Sequence, residues 1–249
     1  RGACDAKGVL VAQLAAAERL RASGVTRIGL LFVVGEERGS DGAKAANRLA
    51  SGSRFLVNGE PTNCRLALAT RGLYRIRLHA SGRAAHTSQP DLGDSAIEKL
   101  ADAVVALRGI HWPVDPELGT TFYTVSMIRG GVAPNVVPFA AEAEMVFRTV
   151  GSTDPLLALV QGAVAPLGVT VEEVFTVPPV RLTTVGSLET DVFNFTTDVP
   201  FLDQWGAPLL LGPGSISQAY TEDEYVEISE LTRAVDAYVD VAKGLLARA

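Results

Sequence analysis

Cysteine, clustered positive charge and long apolar runs are all scarce in this chain, and each scarcity closes off a class of function. Cysteine occurs only twice in 249 residues, at Cys4 and Cys64, with no CxxC spacing. That is not a disulfide framework, so a reducing, cytoplasmic setting is expected. The net charge is -6 with no basic cluster, which argues against nucleic acid, whose backbone demands a concentrated positive face. No apolar run approaches the ~18 residues of a membrane span. The opening residues Arg1-Gly2-Ala3-Cys4-Asp5 contain neither a leader pattern nor an initiator Met. They read like the middle of a domain, so a preceding segment is expected.

What is present is globular: 47% hydrophobic and 20% charged residues, in a length that suits one large domain or two small ones. Leu10, Leu14, Ala17 and Leu20 recur at helical spacing between Ala6 and Ser23. Ile28–Val34 is apolar on both faces, the pattern of a buried parallel strand. A short helix from Asp41 to Ala50 leads to a second apolar run at Phe55-Leu56-Val57, and this β-α-β order implies a right-handed crossover.

From residue 71 the pattern changes. Tyr74, Ile76 and Leu78 alternate with Arg75 and Arg77, so this strand has one wet face. A helix follows from Ser95, with Ile97, Leu100, Val104 and Leu107 on one side. Strands are expected at Thr121–Ile128 and Ala140–Val150, a helix at Pro155–Leu167 and a strand at Val169–Phe175. This β-α-β-β-α-β order predicts an inserted ferredoxin-like unit. The expected fold is α/β: an open, mostly parallel sheet with helices on both faces, from residues 1–69 and 179–249, plus an inserted lid and dimerisation domain from 70 to 178. After Pro178-Pro179 come a short strand at Pro208–Leu211 and a closing helix with Ile228, Leu231, Val235, Tyr238, Ala242 and Leu245 on its apolar face.

In open α/β sheets ligands bind beyond the carboxyl ends of strands. Both candidate parallel strands end in acids, Glu36-Glu37 and Glu60, and Asp5 begins a helix. Acids gathered without Lys or Arg repel one another, and a divalent cation is the usual resolution. From spacing alone Glu36 and Glu37 are equally a solvated loop pair, and Asp5 reads more simply as a helix N-cap.

Six strings, in order, carry a resemblance: Arg1–Gly8, Gly35-Glu36-Glu37, Asn58-Gly59-Glu60-Pro61-Thr62, Gly82–Ser88 around His86, Gly130–Asn135 and Gly212-Pro213-Gly214-Ser215. Together they resemble the zinc metallopeptidase family that includes acetylornithine deacetylase, succinyl-diaminopimelate desuccinylase, aminoacylase and glutamate carboxypeptidase. The resemblance implies two zinc ions per site, with cobalt or manganese as substitutes. Asp5 would bridge the ions, Glu60 would complete the first and Glu37 the second, and Glu36 would be the general base. It further implies that His86 donates to the oxyanion in the site of a second subunit of a homodimer, and that Asn135, Arg148, Gly212 and Gly214 hold a small N-acyl amino acid or dipeptide. His79 and His111 match no motif and are expected to be structural, and Cys4 and Cys64 small fillers.

The family supplies one His to each zinc, and neither is here. The first lies in an H-x-D segment before the Asp5 block; at the second, Tyr220 stands where the family reads His. A phenol titrating near ~10 is a poor zinc ligand at neutral pH. Oxygen donors alone favour Mg, Ca or Mn and predict weak or absent zinc occupancy. Two functions stay open: an amidohydrolase, either an N-acyl amino acid deacylase or a dipeptidase/carboxypeptidase, and a metal-poor homologue that binds a ligand or partner without hydrolysis.

Overall fold

The structure, a computed structural model, describes residues 1–49 and 52–248; the expected helix end at Ala50 and the terminal Ala249 lie outside that range. In chain order the first elements are α1 (Val9–Ala22), α2 (Asp41–Asn47), β1 (Phe55–Gly59), β2 (Leu66–Thr70), β3 (Gly72–Ser81) and α3 (Ala96–Leu107). Two short strands, β4 (Val114–Asp115) and β5 (Gly119–Thr120), precede β6 (Phe122–Gly130), β7 (Ala140–Thr149), α4 (Thr153–Val164) and β8 (Val169–Val177). The chain ends with β9 (Val180–Arg181), β10 (Thr190–Phe193), β11 (Ala207–Leu211) and α5 (Ile228–Ala247). It is a mixed α/β protein whose residues gather into two compact units: 1–70 with 180–193 and 197–249, and 71–179 with 194–196.

In the first unit β1 pairs in parallel with β11, and β2 lies between parallel β10 and antiparallel β9. α1 packs on α5 over these strands, burying Ala12, Ala16 and Leu20 with Leu66, Leu209, Leu211, Tyr238 and Leu245. The approach is close, since a Cβ on Gly59 would stand 2.4 Å from Val9 Cγ1. That closeness selects the alanine stripe of α1 for burial and leaves Leu10, Val11 and Leu14 exposed. α1 is apolar nearly all round, so periodicity alone chose the wrong stripe. Ile228 is likewise outside, at 81% exposure.

Three further expectations for this unit are corrected. Ile28–Val34 forms no strand: the segment has no ladder, and Leu30, Leu31, Phe32 and Val34 are exposed. An apolar run becomes a buried strand only where neighbouring strands satisfy its backbone, and among the described residues β1 takes β11 as its partner instead. The predicted crossover through Ile28–Val34 is therefore absent, and the described strands form small separate sheets rather than one open parallel sheet. Finally, α1 starts at Val9 with Gly8 as its N-cap, so Asp5 is not the cap.

The second unit follows the alternation in its sequence. Its sheet runs β6-β7-β3-β8, every pair antiparallel, with the elements in the order β-α-β-β-α-β apart from the small β4–β5 pair. Tyr74, Ile76, Leu78, Ala143, Met145 and Phe147 point to one face and are wholly or almost wholly buried under α3 and α4, against Leu100, Leu107, Leu156 and Val160. Ser95 and Ser152 cap the two helices through their hydroxyls. The opposite face is charged, with Arg77 bound to Glu144 at 2.7 Å and to Glu172 at 3.2 Å, and His79 to Glu172 at 2.7 Å. His79 is thus part of a structural network.

Phe147 is the keystone of this core, with Trp112 and Tyr123 each 5.3 Å away ring to ring and Tyr74 at 6.2 Å. Phe147→Ala is expected to destabilise the second unit by about 3–5 kcal/mol, the usual range for emptying a buried aromatic site. Urea unfolding followed by the fluorescence of Trp112 checks this; a loss below about 1 kcal/mol would mean that the cavity collapses freely.

Candidate acidic site

Turn chemistry places the acids of the first unit. Glu36 and Glu37 ride on a 3-10 turn, Glu36–Arg38, between Gly35 (φ 83°) and Gly39 (φ 110°). Such left-handed positions are open to glycine at little cost. The turn is closed by Ser40 N donating to Gly35 O at 2.8 Å. Glu60 follows the last residue of β1 and is only 9% exposed. Asp5 lies in an irregular turn before α1, with φ −117° and ψ 93°.

These acids sit within one another's fields. Burial, then Asp198, Glu37 and Asp5, push Glu36 up to about 7. Burial, then Asp5, Glu36, Asp198 and Glu37, hold Glu60 well above the usual carboxylate range. Asp5 is raised by burial and by the charges of Glu37 and Glu224. Sequence reading missed Asp198, which is 4% exposed and raised by burial, with its Oδ1 bonded to nothing. It lies in an irregular stretch with no periodicity or motif, so only the folded chain reveals it. Glu224, in the loop after Tyr220, accepts hydrogen bonds from the backbone of Gly2, Cys4 and Asp5.

Tyr220 does reach the acids. Its hydroxyl donates to Glu37 Oε2 at 2.6 Å. Burial first, then the bond to Glu37 and the charge of Asp5, raise its own pKa far above that of a free phenol, so it remains a protonated donor. Gly212 and Gly214 are buried in the adjoining turn. Gly212 N donates to Thr62 Oγ1 and Gly212 O accepts from Cys64 N, while Gly214 N donates to Glu230 and Gly214 O accepts from Asn63 N. A Cβ on Gly214 would meet Cys4 Sγ at 2.4 Å.

The zinc pair implied by the resemblance does not fit this donor set. Asp5, Glu37, Glu60 and Tyr220 lie near one another, but they offer oxygen only, and the Tyr220 proton occupies a lone pair of Glu37. Among the described residues no group of three or more His, Cys, Asp or Glu is arranged to hold a metal ion.

The other predicted residues belong to the second unit. His86 and Asn135 stand on adjoining loops, joined by Thr87 N donating to Asn135 O at 3.1 Å and by the bridge between His86 and Val136. Ser88 N donates to Nδ1 of the exposed His86 at 3.2 Å, which leaves Nε2 as the ring's N–H donor. Arg148 is half-buried, has no bonded partner for its Nη1, and has its pKa lowered by that burial. A cavity of about 310 Å³ in this unit, lined by His79, Arg129, Phe139 and Glu142, includes none of the predicted site residues.

The model of peptidase family M20/M25/M40 matches residues 1–244. The chain belongs to this family. A probable carboxypeptidase of Aspergillus clavatus is 37% identical, aligned over 100% of this chain and 62% of its own length. An M20 domain-containing protein of Schizosaccharomyces pombe is 33% identical over 96% of this chain and 61% of its own length. The chain therefore spans a little over three fifths of these relatives. Among solved structures, a tripeptidase of Staphylococcus aureus superposes with a TM-score of 0.77 at 20% identity, covering 100% of this chain and 72% of that one. Aminopeptidase PepT of Bacillus cereus gives 0.75 at 17%, covering 97% and 71%. These two show the likeness of fold. No helix among the described residues is long and apolar enough to cross a membrane.

The donor set yields a direct expectation. Dialysed wild-type chain should hold well under one zinc per chain, and Tyr220→His, which supplies an imidazole and removes the blocking proton, should raise the content by about one. Metal analysis of both proteins checks it; equal contents would remove Tyr220 from the ligand position.

Proposed function

We propose that this protein hydrolyses an N-acyl amide or peptide bond adjacent to a free carboxylate in a small substrate, with Glu36 as the proton-transfer group. The observation that carries the reading is the convergence of Asp5, Glu36, Glu37, Glu60 and Asp198, drawn from separate stretches of a chain in a peptidase family. Gathering acids costs stability, so a fold that does it is serving chemistry rather than packing. Glu36 takes a proton from water as its oxygen attacks the carbonyl carbon. It then returns the proton to the leaving nitrogen as the C–N bond breaks, giving a carboxylic acid and an amine. Arg148 supports a carboxylate-bearing substrate, because its half-buried guanidinium keeps a donor free and a planar fork suits a carboxylate. Asn135, Gly212 and Gly214 are assigned to substrate holding. The N–H at Nε2 of His86 is assigned to the oxyanion, in the site of the other subunit.

Among substrates, the relatives named as probable carboxypeptidases favour the peptidase alternative, a carboxypeptidase or dipeptidase, and the Gly-Pro-Gly-Ser string favours an N-acyl amino acid such as acetylornithine or acetyl-lysine. Zinc, cobalt or manganese would need donors beyond those the described residues arrange, so no step is assigned to a metal. That same deficit, with Tyr220 sealing Glu37, favours a second reading: a homologue that binds such ligands without cleaving them.

Glu36→Gln in the whole protein should lower kcat by about 10²–10⁴-fold on a panel of N-acetyl amino acids and dipeptides and leave metal content as in wild type. Retained turnover would sink the assignment of Glu36, and no turnover by wild type would leave the binding reading. The assembly has its own check. A homodimer formed through residues 70–178 should appear as a doubled mass in light scattering at micromolar concentration, and a monomer throughout would withdraw the role given to His86.

A further inference from the structure

We propose that Glu224 is a positioning residue whose carboxylate latches the segment Gly2–Asp5 and thereby sets where Asp5 stands among the acids. Glu224 Oε2 accepts from Gly2 N at 2.6 Å, and Oε1 accepts from Cys4 N at 3.1 Å and Asp5 N at 2.9 Å. Three amides converging on one carboxylate, 9% exposed, form charge-assisted bonds roughly twice as strong as neutral ones. They hold Glu224 below the ordinary carboxylate range. α1 starts at Val9 with Gly8 as its cap, so these amides are not the free N–H groups of that helix. They belong to the irregular turn that carries Asp5.

The latch has a second point of contact on the same loop. Cys4, fully buried, donates its thiol to Ser215 O at 3.4 Å and fills the space that a side chain at position 214 would need. One loop, from Gly214 to Glu224, therefore grips the Asp5 turn at two points and also carries Tyr220, whose hydroxyl donates to Glu37. The three amide bonds therefore fix the backbone from Gly2 to Asp5 directly beside Glu224.

The role in turnover rests on the hydrolase reading, and the test separates the two. Glu224→Gln keeps the shape but replaces one acceptor with a donor facing Gly2; Glu224→Ala removes all three bonds; Glu222→Gln removes a neighbouring exposed charge as a control. In the whole protein, amide hydrogen exchange of residues 1–9 should quicken about tenfold or more in both Glu224 variants and stay unchanged in Glu222→Gln and in α3. On whichever substrate wild type turns over, kcat should fall about tenfold for Glu224→Gln and about a hundredfold for Glu224→Ala, with KM within twofold. A general loss of folding would instead lower the active fraction and speed exchange in α3 as well. Unchanged exchange of residues 1–9 in Glu224→Gln overturns the latch, as does faster exchange with kcat intact. If wild type shows no turnover the hydrolase reading fails, and the exchange arm then decides the latch by itself.

Discussion

Mutual repulsion among buried acids is the constraint around which the first unit is organised. Asp5, Glu36 and Glu60 are each raised by their neighbours as well as by burial, and a chain free to relax would move them apart into water. It is held by backbone. The Gly35–Ser40 turn fixes Glu36 and Glu37, the end of β1 fixes Glu60, and the amide clasp of Glu224 fixes Asp5. Tyr220 donates its one hydroxyl proton to Glu37 where a cation would otherwise compensate the charge. Glu224 pays a like-charge penalty against Asp5 and recovers it through three amides, so one acid organises the position of another.

The second unit solves a simpler problem. Its sheet needs one dry face and one wet face, and a period of two in β3 and β7 provides both. The aromatic cluster around Phe147 fills the dry face, and the Arg77–Glu144–Glu172–His79 network covers the wet one. His86 and Asn135 sit on loops bonded to each other rather than on the sheet, and Arg148 occupies the wet face without an acid partner.

Family membership and donor chemistry pull in different directions. The match over residues 1–244 places the chain among M20 peptidases, while its own side chains present only oxygen and a phenol where a zinc site uses imidazole. The fold of the family persists in a chain whose described residues arrange no metal site. Fold and chemistry are therefore separate properties here, and the second has to be argued from the site itself.

The sequence by itself determined the second unit's strands and their faces, since alternation between Tyr74, Ile76 and Leu78 and the arginines beside them depends only on the pleat. It determined the family too, because six short strings in order survive any change in packing. It also marked Glu36, Glu37, Glu60 and Asp5, as acids at the ends of apolar runs or in those strings. Only tertiary structure decided the rest. α1 buries alanines rather than leucines because α5 and Gly59 come close, a distance that no helical period encodes. Ile28–Val34 stays exposed because a strand exists only with a partner for its backbone. Asp198 and Glu224 join the acids from loops without pattern, the first through burial and the second through amides more than two hundred residues away in the chain. Contacts of that span arise from the folded backbone, and no local run of residues announces them.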